Sequence, residues 1–379
     1  MTSRVRAAVK SRDPDATRIP RRRVLAGGAG LMALAALPGG TLGQELRYFQ
    51  IGTGTTGGTY FLIGGMLANA ISNPPGSRPC DRGGSCGVPG LIAVAQSTSG
   101  SVENVRAIQE RRMESGLAQA DIAYAAFRAQ GAFEEAEPFD ELRAIANLYT
   151  ETVHLVVRAD SGIADVPGLR GKRVALGERG SGTLVTARAI LSAYGLSEKR
   201  IAPVYLSPGA AGDRLATGEL DGFFIVGGFP LPAVADLAAR LPIRLLPLAG
   251  ERVDAMARRL PFFTPNIIPA LAYAGGVDTP SLGVGAVWVV GSAVDEELVH
   301  GVTRALWHPN VRALLDAGHP RGSSIRIETA LTALPVPLHP GAERYYREAG
   351  YAAEIAALPP QQPGIPVPRV KPPTDPVSQ

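Results

Sequence analysis

Short apolar runs alternate with longer amphipathic runs along most of this chain. The short runs have the length of buried strands, and the longer runs repeat apolar residues at helical spacing. Strands are predicted at residues 46–51, 91–96, 117–119, 172–176, 201–206, 222–226 and 243–246. Helices are predicted at residues 60–71, 102–110, 122–130 and 184–193. This order predicts an α/β fold, with mostly parallel sheets flanked by helices.

The pattern changes in the last third of the chain. A long β-branched strand is predicted at residues 284–290, followed by helices at residues 295–306, 311–317 and 343–349. Residues 351–379 are predicted to form a proline-rich tail, because eight prolines fall within residues 359–379.

Two predicted strands follow each other almost without a connecting segment, at residues 142–149 and 153–157. Such a pair is expected where a chain crosses from one domain into another. We therefore expect two lobes, the first formed by residues 44–152 with 271–350 and the second by residues 153–270. In a two-lobed protein the ligand site lies between the lobes.

The composition supports large folded cores. Of the 379 residues, 45% are hydrophobic and 19% are charged, which excludes a wholly disordered chain and suits one large or two medium domains. No uninterrupted apolar run reaches the ~20 residues that span a bilayer, so a polytopic membrane protein is not expected.

The net charge of +4 comes from the N-terminal segment. Residues 1–43 hold eight Lys/Arg and two Asp, whereas the rest of the chain holds 30 basic and 32 acidic groups, so nothing favours nucleic acid as a partner. An arginine triplet at residues 21–23 precedes a short apolar stretch at residues 24–37, and the small residues Thr41 and Gly43 follow this stretch. This arrangement is typical of a secretory signal peptide of the twin-arginine type, which predicts a periplasmic location.

The two cysteines agree with export. Cys80 and Cys86 lie six positions apart around a glycine pair, and an even cysteine count in an exported chain favours a disulfide. Two free thiols are the alternative. A metal site would need further Cys or His nearby, and the five histidines are scattered without a metal-binding spacing.

Three turns rich in glycine and hydroxyl residues each follow a predicted strand and begin a predicted helix. They span residues 52–58 (first turn), 97–101 (second turn) and 180–183 (third turn). Glycines expose backbone N–H groups and a helix start carries partial positive charge, so such turns suit an anion. Hydrogen bonds to a charged group are worth roughly 1.5–3 kcal/mol each, so three converging turns would supply the ~8 kcal/mol of micromolar binding. The alternative for each turn is an ordinary helix cap or a plain turn.

The sequence gives little support for a nucleotide cofactor, for catalysis or for a metal site. The first turn fits the dinucleotide spacing G-x-G-x-x-G, but no acidic residue lies between Glu45 and Asp81 to hold a ribose. Ser181 lacks the outer glycine of a nucleophile elbow. Asp121 suits the N-cap of the following helix better than a general base, and His154 suits the core or a hinge better than a metal site. No catalysis, cofactor or metal is therefore expected.

Five segments, taken in order, resemble the TAXI family of TRAP transporter solute-binding proteins. They are IGTGTTGGTY at 51–60, STSGSV at 97–102, LAQAD at 117–121, GSGT at 180–183 and LPVPLHPGAERYY at 334–346. The likeness covers about residues 46–350. It implies a two-lobed periplasmic binding protein fold of type II, which closes on a small carboxylate such as glutamate or 2-oxoglutarate and delivers it to a TRAP membrane permease.

The resemblance also implies the ligand-binding residues. They are Thr53, Thr55, Tyr60, Ser97, Ser99 and Gln119 from the first lobe, and Ser181, Gly182 and Thr183 from the second. Their hydroxyl and amide groups are expected to donate to a carboxylate, with Tyr60 packing or donating. The chain is expected to act as a monomer. The alternatives are an exported oxidoreductase with a nucleotide cofactor, and a sensor subunit that presents its ligand to a membrane kinase.

Overall fold

The computed structural model describes residues 46–260 and 262–358, so the predicted signal peptide at 1–43 and the prolines of 359–379 lie outside the described residues. The strands are β1 Arg47–Gly52, β2 Ser72–Asn73, β3 Val88–Pro89, β4 Leu91–Gln96, β5 Ser115–Gln119, β6 Leu142–Arg158, β7 Arg173–Ala175, β8 Ala202–Val204, β9 Gly222–Gly227, β10 Ile243–Leu245, β11 Thr264–Ile268 and β12 Thr279–Gly291. The α-helices are α1 Thr59–Ile71, α2 Ser101–Gln109, α3 Ala120–Phe127, α4 Gly182–Ala193, α5 Pro208–Ala216, α6 Pro232–Arg240, α7 Glu251–Arg259, α8 Glu296–Leu306, α9 Val311–Gly318, α10 Pro340–Glu348 and α11 Ala352–Ala356.

One sheet runs through the molecule in the order β4-β1-β5-β12-β6-β9-β7-β8, with β10 paired to β6 and β11 paired to β12. On one side, β1 is parallel to both β4 and β5; on the other, β7 is parallel to both β8 and β9. We call β4-β1-β5 the first block and β9-β7-β8 the second block. Between the blocks, β12 and β6 run antiparallel to their neighbours. The predicted α/β class, with mostly parallel strands flanked by helices, is confirmed.

The strand pair predicted at 142–149 and 153–157 is a single strand, β6, of 17 residues. The prediction of two strands was wrong because Thr150, Glu151 and Thr152 interrupt the apolar run. β-branched threonines nevertheless suit an extended backbone. Residues 142–152 of β6 pair with β12, and residues 152–157 pair with β9. One continuous strand therefore connects the two halves of the sheet.

Several helix boundaries differ from the predictions by one to three residues, and two differences change an interpretation. α3 begins at Ala120 with Gln119 as its N-cap residue, so Asp121 lies inside the first turn and the predicted Asp121 cap was wrong. The predicted tail was also placed to start too early, because residues 352–356 form α11. Tyr351 packs against the core and explains why the ordered fold extends past residue 350.

The two long antiparallel strands, β6 and β12, pair side by side and supply central residues of the core. Trp288 of β12 is fully buried, and its indole Nε1 donates to Ser115 Oγ at 3.1 Å, so the polar atom of the ring is satisfied.

Cys80 and Cys86 form the predicted disulfide. Among the described helices, none combines the length and the apolar character needed to cross a bilayer.

Candidate functional site

The second and third turns meet across the boundary between the two blocks, which we call the seam. The backbone N–H of Glu103, next to the second turn, donates to the carbonyl of Gly180 at 3.0 Å. A Cβ on Gly180 would lie 3.4 Å from Ser99 Cβ, and one on Gly100 would lie 3.7 Å from Ser181 Cα. These two turns are therefore in direct contact.

The first turn also reaches the second half of the chain. The N–H of Ala233, in α6, donates to the carbonyl of Gly57 at 3.2 Å. Thr59 Oγ1, at the start of α1, donates to the carbonyl of Gly228 at 2.7 Å. All three turns thus take part in contacts across the seam.

Several of the expected ligand-binding hydroxyls are engaged within the fold. Thr53 is fully buried and its Oγ1 donates to the Gln96 carbonyl at 2.8 Å. Ser97 is exposed and its Oγ donates to the Gly54 carbonyl at 3.1 Å. These two bonds tie the first turn to the second, because β1 and β4 are parallel neighbours whose carboxyl ends lie at the same edge. A hydroxyl used this way stabilises the turn rather than facing an open site.

Thr55 lies within the first turn, and Ser99 lies within the second turn. Both are half-buried. The Thr55 carbonyl accepts from Gly58 N–H at 3.0 Å and closes the first turn. The Ser99 N–H donates to Glu103 Oε2 at 2.7 Å, which is a side-chain bond at the start of α2.

The tightest contact of the seam joins Gln119, Ser101 and Gly182. Gln119 is buried, its N–H donates to Ser101 Oγ at 3.1 Å, and its Nε2 donates to Thr186 Oγ1 of α4 at 3.2 Å. A Cβ on Gly182 would collide with Gln119 Oε1 and stand 3.0 Å from Ser101 Oγ. Glycine at the start of α4 is therefore required for this approach.

Gly182→Ala is expected to lower the stability of the closed seam by ~1–3 kcal/mol, the usual cost of overpacking. Urea unfolding would measure the loss. Gly209→Ala is the matched control, because Gly209 also lies in a helix, α5, and a Cβ there meets nothing within 4 Å. Equal unfolding free energies for the Gly182 and Gly209 variants would contradict the close approach.

Ser181 and Thr183 have defined roles in the third turn. Ser181 is the N-cap of α4: its Oγ accepts from Leu184 N–H at 3.1 Å and donates to the Glu178 carbonyl at 2.7 Å. Thr183 Oγ1 accepts from Val226 N–H at 3.1 Å and joins α4 to β9. For Ser181 the alternative of an ordinary helix cap is thus realised.

Tyr60 leads to a buried carboxyl that the sequence analysis did not identify. Its phenol donates to Glu151 Oε2 at 2.6 Å, and both residues are buried. Removal from water raises the pKa of Glu151 to about 8; the hydrogen bond from Tyr60 lowers it, and the negative charge of Asp121 raises it further. Glu151 is therefore largely protonated at neutral pH. An acid inside an otherwise apolar strand was the available sequence signal.

Arg321 supplies a half-buried cation beside Gly228. Its guanidinium lies 3.6 Å over the Phe229 ring, and its Nε donates to the Phe229 carbonyl at 3.2 Å. Its Nη2 is buried and has no hydrogen-bond partner among the described residues. Desolvation lowers the pKa of Arg321 from its usual value. A half-buried guanidinium whose buried Nη2 group is unused is a natural partner for an anion.

Tyr149 lies between Glu151 and Arg321. Tyr149 is buried, and its hydroxyl has no partner in the described part of the chain. Burial raises its pKa most, the charge of Glu151 raises it further, and the charge of Arg321 lowers it. A Cβ on Gly228 would lie 2.5 Å from Arg321 Cγ and 3.0 Å from Tyr149 Cε2, so only glycine lets the two side chains come together. We call Tyr60, Glu151, Tyr149 and Arg321 the polar row.

The fold explains the surroundings of two histidines, His154 and His308. His154 is buried, with Nδ1 2.9 Å from the Thr152 carbonyl and Nε2 3.0 Å from the Tyr273 hydroxyl, and burial lowers its pKa to about 4. It is a satisfied core histidine. His308 approaches both cysteines, but in this cluster of metal-ligand types the two sulfurs are bonded to each other.

The sequence profile of the NMT1-like family matches residues 51–350. Among solved structures, the alkanesulfonate-binding protein SsuA of Xanthomonas axonopodis pv. citri, bound to MOPS, is 17% identical over 84% of this chain and 96% of its own, with a TM-score of 0.43. The aliphatic sulphonate binding protein SsuA of Escherichia coli is 15% identical over 83% and 94%, with a TM-score of 0.39. MatC of Rhodopseudomonas palustris, with bound malate, is 15% identical over 82% and 97%, with a TM-score of 0.46. Likeness at this level says nothing about which ligand this chain binds.

Proposed function

The chain belongs to the NMT1-like family, and on that premise we propose that it is an exported solute-binding protein that captures a small organic anion for a membrane transporter. The proposal includes the periplasm as its location, export by the twin-arginine route, and a monomeric state. It also includes a TRAP permease of the TAXI type as the partner, which the resemblance of the five sequence segments supports.

One observation carries the proposal: a buried N–H group of the half-buried Arg321 guanidinium and the buried phenol of Tyr149 both lie near Gly228 and lack partners among the described residues. Arg321 Nη2 and the Tyr149 hydroxyl are both unpaired among the described residues. A buried polar group without a partner costs roughly 1–3 kcal/mol, and more when it is charged. A carboxylate that accepts from both groups would recover this cost, so the pair favours an anionic ligand.

The position of the polar row supports a two-lobed closing mechanism. We assign residues 44–152 with 271–350 to one lobe and residues 153–270 to the other. All four residues of the polar row, Arg321 included, then belong to the first lobe. Arg321 and Tyr149 lie against Gly228 and Phe229 of the second lobe. Opening would separate the bonded pairs Glu103–Gly180, Gln119–Thr186, Ala233–Gly57 and Thr59–Gly228. Exchange between open and closed forms of this kind is the usual way such a cleft admits and retains a ligand.

The observed contacts change which of the expected site residues we assign to ligand binding. Tyr60, Gln119, Gly182 and Thr183 lie at the seam and remain proposed contributors, together with Ser181. Thr53 and Ser97 have their hydroxyls engaged by backbone carbonyls, so we assign them to shaping the turns. Arg321 and Tyr149 take over the central role in anion binding.

A thermal-shift screen followed by calorimetry tests the proposed function. Glutamate, 2-oxoglutarate, malate and simple sulfonates should raise the melting temperature selectively, with at least one binding in the micromolar range. Stabilisation by a nicotinamide or flavin nucleotide and by none of the acids would overturn the proposal. That result would instead support the exported oxidoreductase.

Ser181 variants separate ligand binding from helix capping. Ser181→Ala should cost about 1 kcal/mol of stability through the lost cap, whereas Ser181→Gly should cost only a few tenths. If the hydroxyl also contacts the ligand, both variants should lower its affinity about tenfold. Unfolding and calorimetry on the two proteins give the comparison, and an unchanged affinity in Ser181→Gly would limit this residue to capping.

A further inference from the structure

A second concavity lies beside the seam, between helices of the two blocks. It is a groove of about 1490 Å³ lined by residues of α2, α3, α4 and α7. Asp121 and Ser181 are part of its wall, whereas the polar row is not. The groove is larger than most small-molecule sites, which occupy ~300–1,000 Å³.

The walls of the groove are mainly apolar and partly aromatic. Tyr124 and Phe262 pack as a tilted pair with ring centroids 5.0 Å apart. Leu184, Met256 and Phe263 also line the groove, and all three are buried. Such walls favour a ligand that presents a flat apolar face.

Two polar atoms in the wall have no partner among the described residues. Tyr124 is only 6% exposed, and its hydroxyl makes no hydrogen bond to the described residues. Asp121, one helical turn earlier, has a buried Oδ1 that is likewise unpaired in the described structure. Native proteins rarely leave such groups unsatisfied, so each one is expected to bond to water or to a ligand.

The charges around the groove nearly cancel. Six basic residues and five acidic residues line it, and one pair, Arg188 and Glu198, is already bridged at 2.9 Å. A strongly charged ligand would meet as much repulsion as attraction there. The lining therefore selects for a ligand without net charge.

We propose that this groove is a second binding site, which takes a neutral aromatic compound carrying one hydroxyl group. The ring packs against the Tyr124–Phe262 pair and Leu184, and the hydroxyl exchanges a hydrogen bond with Tyr124. This site shares Ser181 with the proposed contributors to anion binding but none of the polar row, and it goes beyond the proposed transport function. Because its walls come from both blocks, its ligand should also stabilise the folded chain.

A matched pair of probes tests the site on the purified full chain. p-Cresol and toluene differ by one hydroxyl, and ligand-observed NMR titration should show p-cresol binding at least about threefold tighter. In Tyr124→Phe, which removes only the unpaired oxygen, the two probes should bind equally. Equal binding to the natural chain, or a preference that persists in Tyr124→Phe, would overturn the assigned ligand class.

A groove-filling substitution tests the location. Ala189→Trp places an indole in the groove from the half-buried face of α4 and should weaken both probes at least tenfold. Ala239→Trp, on the exposed face of α6, is the matched control and should leave both affinities unchanged. Undiminished binding to Ala189→Trp would place the probes elsewhere and overturn the site. Binding of organic acids, measured in parallel, reports separately on the anion site.

Discussion

Arg321→Met is expected to weaken binding of the organic anion about a hundredfold. The guanidinium is held over the Phe229 ring at 3.6 Å, and its Nη2 is buried without a partner in the described chain. Hydrogen bonds from a charged donor are worth roughly 1.5–3 kcal/mol each, and an Arg–carboxylate pair commonly makes two. Methionine keeps the length and the apolar contact but offers neither charge nor donor. Calorimetry with the best acid from the thermal-shift screen would measure the change.

The control for this substitution is an exposed arginine from the same part of the chain. Arg326 lies five positions later, is exposed, and donates to the Ser323 carbonyl at 2.9 Å. Arg326→Met should leave ligand affinity within about twofold of the natural chain, since surface changes are mostly small. An affinity of Arg321→Met that also stays within this range would remove the central support for the anion site.

The order of the helices and strands could be predicted because it depends on local patterns. The apolar run at 91–96 became β4 with the same bounds, and Gly195 follows α4 with φ of 69°, as a helix stop requires. The disulfide could be predicted from the two cysteines together with the expected export of the chain. The break predicted within residues 142–157 failed because polar threonines in a strand look like a turn until their pairing partners, more than 70 positions away, are known.

The polar row could not be predicted for the same reason. Arg321 reaches its position through contacts with Phe229, 92 positions earlier, and the loop around Arg321 carries no local motif. Conversely, Thr53 belongs to a recognisable turn, yet its hydroxyl is used by Gln96, 43 positions later. Local motifs therefore located the seam, whereas the unpaired donors within it depend on long-range packing. Glu151 could be predicted in part, because an acid in a buried strand is visible in the sequence. Its pairing with Tyr60 is not visible there.

The Glu151→Gln protein is expected to be more stable than the natural chain at pH 8. The difference between their free energies of unfolding should vanish near pH 4.5. Burial raises the pKa of Glu151 to about 8 in the folded chain, whereas 4.5 is its ordinary value. Between these values the folded state holds a proton that the unfolded state has lost, so stability falls as pH rises through this window. The fall is at most about 1.4 kcal/mol per pH unit and stops above pH 8. Glutamine can still accept the Tyr60 hydrogen bond but does not titrate, so this dependence disappears.

Urea unfolding of the two proteins at pH 5, 6.5 and 8 isolates this contribution. Asp121, whose pKa is raised to about 7 by burial, adds a slope of the same sign, but it is present in both proteins and largely cancels in the difference. Glu354→Gln, at an exposed position of α11, is the control and should give curves parallel to the natural chain. If the curves for Glu151→Gln are parallel as well, then Glu151 is ionised in the folded state. The anion would then face a negative charge next to Tyr149, and the ligand would need a cationic group to balance it.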